Sequence, residues 1–205
     1  MAKRKPVYGI GIYDIEESAY QLIDGKRIKH PIYCVWTDMI RRCYSAKDLL
    51  KNPTYTGCTV HADWHLFSNF KQWMIDNRYE GMHLDKDILI KGNKVYGPDT
   101  CALVPNYVNQ SLIGVTTIKP NRKYPLGAGY NGYYYATMSN KNYGYGKTAL
   151  QAHHVWQNTK ADHLESVVFR YAQEECFRTD VADALLARAW TLRLHASQGV
   201  ETITL

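Results

Sequence analysis

No aspartate or glutamate occurs between Asp99 and Asp162. Over that span the chain carries Lys119, Arg122, Lys123, Lys141, Lys147 and Lys160, and these six cations equal the whole net charge of +6. An acid-free, positive stretch disfavours a cationic partner and attracts phosphate. Arginine is scarce as well: Arg122 is the only one between Arg78 and Arg170. The guanidinium fork that reads guanine edges is therefore nearly absent, which leaves phosphates as the main source of affinity and makes sequence preference weak. No apolar run approaches the ~20 residues that a membrane-spanning helix needs. The opening MAKRKPVYGIGIYD is basic without a following apolar stretch, so no signal peptide is expected. Cysteine is sparse and scattered: Cys34, Cys43, Cys58, Cys101 and Cys176 form an odd set with no CxxC spacing. That argues for reduced thiols in a cytosolic setting and against a disulfide framework. A site joining Cys43, Cys58 and Cys101 to a histidine remains an alternative.

What the chain has in quantity is tyrosine. Tyr107, Tyr124, Tyr130, Tyr133, Tyr134, Tyr135, Tyr143 and Tyr145 all fall in the acid-free span. Aromatic rings among cations suit a nucleic-acid surface, whereas a solvated Tyr-rich sheet with no ligand is the plain alternative. An apolar content of 45% and a charged content of 21% are those of an ordinary folded protein.

Along the chain, the first thirty residues read as a hairpin, with β-rich Tyr8 to Ile15 and a tight turn at Asp24-Gly25. Pro31 opens a helix whose apolar stripe is Ile32, Val35, Trp36, Met39, Ile40 and Cys43. A second helix is expected from His65 to Asn77, with Leu66, Phe67, Phe70, Trp73 and Met74 as a core stripe. His83 to Ile90 reads as a strand, Gly92-Asn93 as a turn, KVYG as the returning strand, and Asn106 to Leu112 as a short helix. Gly132 to Asn140 alternates strictly, with Tyr134, Ala136 and Met138 on one face and Tyr133, Tyr135 and Thr137 on the other. A turn at residues 140–142 leads into NYGYGK. Thr148 and Gln151 form a capping box, T-x-x-Q, so a long helix should run from Ala149 to about Glu175, with Lys160 and His163 interrupting its apolar period. A last helix starts near Thr179-Asp180, with Val181, Leu185, Leu186, Ala189, Leu192 and Leu194 as its apolar face. The final ten residues carry no signal.

The stretches W-x-x-M-x-x-R-C-Y (Trp36 to Tyr44), NPTYTGCTV, W-H-x-F-S-N-F and LDKDILIKGNKVYGPDTCALVP together resemble a family of bacteriophage and mobile-element proteins with degenerate HNH-type nuclease folds. The segment after them is similar to the DNA-binding domain of the APETALA/ethylene-response-factor class. Gly132, Tyr134, Ala136 and Met138 fall on that domain's G-x-Y-x-A-x-I strand, and Thr148 with Gln151-Ala152 on the start of its helix. The resemblance covers about residues 31–175. With the residue patterns at the two ends, it gives an α+β chain: a hairpin at 1–30 and a C-terminal helix and tail at 178–205 from those patterns, and, as the resemblance implies, a degenerate ββα module at 31–113 and a three-stranded antiparallel sheet on a long helix at 114–177.

Carried over residue by residue, the resemblance puts an HNH metal ligand on Asp85, the general base on Lys86, the base-orienting position on Thr100 and a last ligand on Asn109. A lysine of ordinary pKa near 10.4 is protonated at neutral pH and is a poor base, and threonine replaces an amide poorly. His83, Asp85 and Asp87 share a strand face and could hold a divalent ion such as magnesium or manganese. In the competing reading, Asp85 and Asp87 accept hydrogen bonds from Lys86, Lys91, Arg41 or Arg42. The expected function is duplex DNA binding in the cytoplasm of a bacterial host, through Lys119, Arg122, Lys123, Tyr133, Tyr135, Thr137, Lys141 and Lys147. The alternatives are a metal-dependent HNH-type endonuclease, with Asp85, Lys86, Asp87 and Asn109 as candidates, and a phage protein that inhibits a host protein.

Overall fold

The computed structural model describes residues 4–113 and 122–205. It is an α+β protein that divides into two compact units, Met1–Pro105 and Asn106–Leu205. Among the described residues no helix is long and apolar enough to cross a membrane.

The first unit contains strands β1 (Tyr20–Ile23) and β2 (Lys26–Lys29), helices α1 (Pro31–Tyr44) and α2 (Ala46–Lys51), strand β3 (Thr59–Val60), helix α3 (Phe67–Asp76), and strands β4 (Met82–Asp85), β5 (Val95–Tyr96) and β6 (Ala102–Pro105). Pro31 supplies the preset φ of a first helical turn, and α1 buries Ile32, Trp36, Met39, Ile40 and Cys43, which recur at helical spacing. They meet Phe67, Phe70 and Met74 of α3. The Trp36 indole donates to the Trp64 carbonyl at 2.8 Å, so the largest buried ring leaves no polar atom unmatched.

Two expectations in this unit are corrected. Tyr8 to Ile15 is not a strand: the Ile12 N–H donates to the His65 carbonyl and the Phe67 N–H to the Ile12 carbonyl, so this segment straps the entry to α3. Asp14 then accepts from the Ser68 N–H at 2.9 Å and from the Ser68 hydroxyl. The hairpin is confined to β1 and β2, around Asp24 and Gly25 at positive φ. The strand expected at His83 to Ile90 stops at Asp85, because the Asp85 carboxylate turns back onto the N–H groups of Asp87 and Ile88, both at 2.7 Å. Nor does KVYG return along it: β4 pairs antiparallel with β6, whereas β5 pairs parallel with β3.

The second unit holds α4 (Asn106–Gln110), strands β7 (Ala128–Tyr130), β8 (Tyr134–Met138) and β9 (Lys141–Gly146), and helices α5 (Ala149–Tyr171) and α6 (Thr179–Ser197). The break ahead of Asn106 lies earlier than the boundary expected at 113/114. α4 is tied into the second unit by Tyr107, whose hydroxyl donates to Glu174 at 2.7 Å, and the Lys160 amine reaches the Ser111 carbonyl just beyond α4 at 2.6 Å. α6 also belongs to this unit and is not a separate tail, since Arg193 joins it to Asp162 and Glu165 of α5.

β7, β8 and β9 form an antiparallel sheet in that order. Ser139 and Asn140, both at positive φ, make the β8–β9 turn just ahead of the expected position. Thr148 caps α5 by accepting the Gln151 N–H at 3.1 Å, and Gln151 reaches back to the Lys147 N–H at 2.8 Å. The helix ends at Tyr171, short of Glu175. The closing residues, unread in the sequence, dock on α5. The Thr202 N–H donates to His153 Nε2 at 2.9 Å while His153 Nδ1 contacts the Leu126 carbonyl at 2.6 Å. Those partners require a neutral ring protonated on Nδ1, and burial lowers the His153 pKa accordingly.

Gly127 shows how tightly α5 lies on the sheet. Its φ is +72°, and a Cβ there would fall 2.0 Å from Trp156 Cδ1. Gly127→Ala should therefore combine left-handed strain with overpacking and cost about 2–4 kcal/mol. Gly132→Ala, with positive φ but open space, should cost only about 1 kcal/mol. Urea titrations of the two variants check the ordering.

Candidate nucleic-acid interface

The residues expected to form a nuclease centre build a loop instead. Asp85 is occupied by the two N–H groups that end β4, and burial raises its carboxyl above the usual range while those donors pull it down. The Lys86 amine is buried and donates to Asp87 at 2.6 Å and to the Asn93 carbonyl at 2.9 Å. Asn93 returns the contact, donating to the carbonyls of Lys86 and Val95. Thr100 donates to the Val95 carbonyl at 2.7 Å. His83 is exposed, and Asn109 lies on α4 in the second unit. Among the described residues no group of three or more His, Cys, Asp or Glu side chains is placed to hold a metal ion. Cys43, Cys58 and Cys101 are buried free thiols in the first unit, and burial pushes Cys43 and Cys101 up to about 12. At that value Cys43 and Cys101 are thiols and not thiolates at neutral pH.

The sheet of the second unit has two unlike faces, and small residues decide which is which. A Cβ on Gly146 would lie 2.5 Å from the Ala152 nitrogen, one on Gly144 would lie 3.2 Å from Val155, and Ala136 is fully buried. Glycine and alanine thus form the floor on which α5 rests. Because Ala128, Ala136 and Gly144 are cross-strand partners, their neighbours Gly129, Tyr135 and Tyr145, also cross-strand partners, must face the other way. The Tyr135 ring lies over Gly129, where a Cβ would be 2.5 Å from its Cζ. Tyr145 is 64% exposed and Tyr133 74% exposed, which leaves their rings available to a ligand.

Lys141 and Lys147, both exposed, sit at opposite ends of β9, with the Lys141 amine 5.5 Å from the Tyr143 ring centre. Lys123 is exposed, 5.2 Å from the Tyr124 ring centre, and Arg122 is half-buried. Lys119 lies outside the described residues. Thr137 does not join the exposed set: it is half-buried and borders a cavity beside α5. Tyr145 was missed as a face residue. The alternation Tyr143-Gly144-Tyr145-Gly146 carried the signal, but its register with Tyr135 comes only from strand pairing.

Tyr134, on the α5 side, is half-buried at the sheet end, its ring 4.9 Å from that of Tyr130 and 6.0 Å from that of Tyr124. Tyr134→Ala should cost about 1–3 kcal/mol, and Tyr133→Ala or Tyr145→Ala less than about 0.5 kcal/mol. Thermal melts check this, and the reverse order would invert the assignment of the two faces.

Comparison of the chain with protein-family models, with curated proteins and with solved structures returns no match.

Proposed function

We propose that this protein binds duplex DNA through the open face of β7, β8 and β9, with weak sequence preference, in a phage or mobile element acting inside a bacterial cell. The observation that carries this reading is the pairing of exposed Tyr133 and Tyr145, with half-buried Tyr135 between the strands, and flanking lysines on a sheet whose surrounding sequence has no acid. Lysines at the two ends of β9 suit phosphates on either side of a groove, and the rings between them suit sugar and base edges. Metal-dependent cleavage is the weaker reading, because Lys86 is tied to Asp87 and Asn93 and Asp85 accepts the N–H groups of its own loop.

Affinity should fall steeply with salt. Neutralising four phosphates, through Arg122, Lys123, Lys141 and Lys147, corresponds to a log–log slope of about −3.6. Lys141→Ala and Lys147→Ala should each flatten that slope by about one unit, and Tyr133→Ala or Tyr145→Ala should weaken binding by about 1–3 kcal/mol. Fluorescence anisotropy with duplexes of unrelated sequence, over a range of salt, measures both. Binding that ignores salt, or none at low salt, would remove nucleic acid as the partner. Supercoiled DNA incubated with magnesium or manganese should stay intact, and nicking lost in Asp85→Ala would restore the endonuclease reading.

A further inference from the structure

Lys160 is an anomaly that DNA binding does not use. It sits inside α5 at 4% exposure, where the helical period calls for an apolar residue. Its amine donates once, to the Ser111 carbonyl at 2.6 Å. Two of its three N–H groups and its charge have no partner among the described residues. The nearest acids in sequence do not supply one, because Asp162 and Glu165 are both held by Arg193 at 2.7 Å. A buried ammonium without a counter-charge is disfavoured, and burial drives the Lys160 pKa down to about 8. A single hydrogen bond to a carbonyl needs no charge, so that contact leaves the choice of lysine unexplained.

Beside Lys160 lies a cavity of about 440 Å³. Trp156, Leu126 and Met138 are among its apolar lining, and Lys160, His163 and Gln110 among its polar lining. Burial and the Lys160 charge lower the His163 pKa, which favours the neutral ring that can still donate one N–H. The volume is that of a small-ligand pocket, and its lining mixes polar and apolar groups.

We propose that this cavity binds a small organic anion, a compact apolar body carrying one phosphate or carboxylate group, with Lys160 as its counter-charge. The anion completes the lysine's hydrogen bonds and offsets its burial, while Trp156 and Leu126 cover the apolar body. The site lies on the α5 side of the sheet, away from the Tyr135 and Tyr145 face, so it is separate from the proposed DNA surface.

The test uses the full chain with two charged probes, adenosine 5′-monophosphate and benzoate, and their neutral counterparts, adenosine and benzyl alcohol, at constant ionic strength. Binding is read by calorimetry and by the indole N–H resonance of Trp156. At least one anion should shift that resonance and bind at least about tenfold more tightly than its neutral counterpart. Its affinity should fall as pH rises, because the free amine carries no charge. Lys160→Met should lose at least about tenfold in that affinity. This variant removes a buried charge, so it should fold, and unchanged duplex DNA binding would confirm that it does. No shift with either anion, equal affinity for a neutral counterpart, or undiminished binding by Lys160→Met would overturn the proposal. An equal loss of anion and duplex affinity in the folded variant would also overturn it, since the cavity would then be taking a DNA backbone phosphate.

Discussion

The second unit depends on how closely α5 can approach the sheet. Gly127, Gly144 and Gly146, with Ala136, leave no side chain between the helix and the strand backbones, so Ala152, Val155 and Trp156 pack directly on them. Packing at that density tolerates little added volume. It also has a consequence for surface chemistry. Strand residues alternate between faces, so every small residue placed under α5 forces its neighbour outwards, and in β8 and β9 those neighbours include Tyr135 and Tyr145. The exposed aromatic face follows from the same alternation that lets the helix dock.

Buried and half-buried polar groups fix loops in both units. In the first unit Lys86 and Asn93 exchange hydrogen bonds across the loop between β4 and β5, and Asp85 ends β4. In the second, His153 joins the Leu126 carbonyl to the Thr202 N–H, and Gln157 donates to the Thr202 hydroxyl. Hydrogen-bonded groups of this kind specify conformation: one Asp85 carboxylate oxygen accepts both the Asp87 and the Ile88 N–H and so fixes where the strand ends. Lys160 is the exception, a buried charge with no counter-charge among the described residues.

Charge distribution and packing lead to the same surface. The acid-free span is a local source of positive potential in the second unit, and α5 covers one face of its sheet. What remains open is a face of rings with lysines at the ends of β9.

Helices were legible wherever their apolar residues recur at helical spacing next to a start signal: Pro31 for α1, and Thr148 with Gln151 for α5. The two faces of β8 were legible as far as Ala136 for the same reason, since alternation is a local property of the strand, but the bulge between Ala136 and Thr137 takes Thr137 out of that pattern. Local pattern also placed the charge and the tyrosines. What it could not supply was pairing. That β4 joins β6 while β5 joins β3, that Tyr8 to Ile15 straps α3, and that Tyr145 stands beside Tyr135 are all contacts between segments distant in sequence or displaced by a bulge. Nor does a sequence say which polar residues will be enclosed. Lys86, Lys160, His153 and Thr202 look like surface residues one at a time, and only the folded chain puts them inside, where burial changes what each can do.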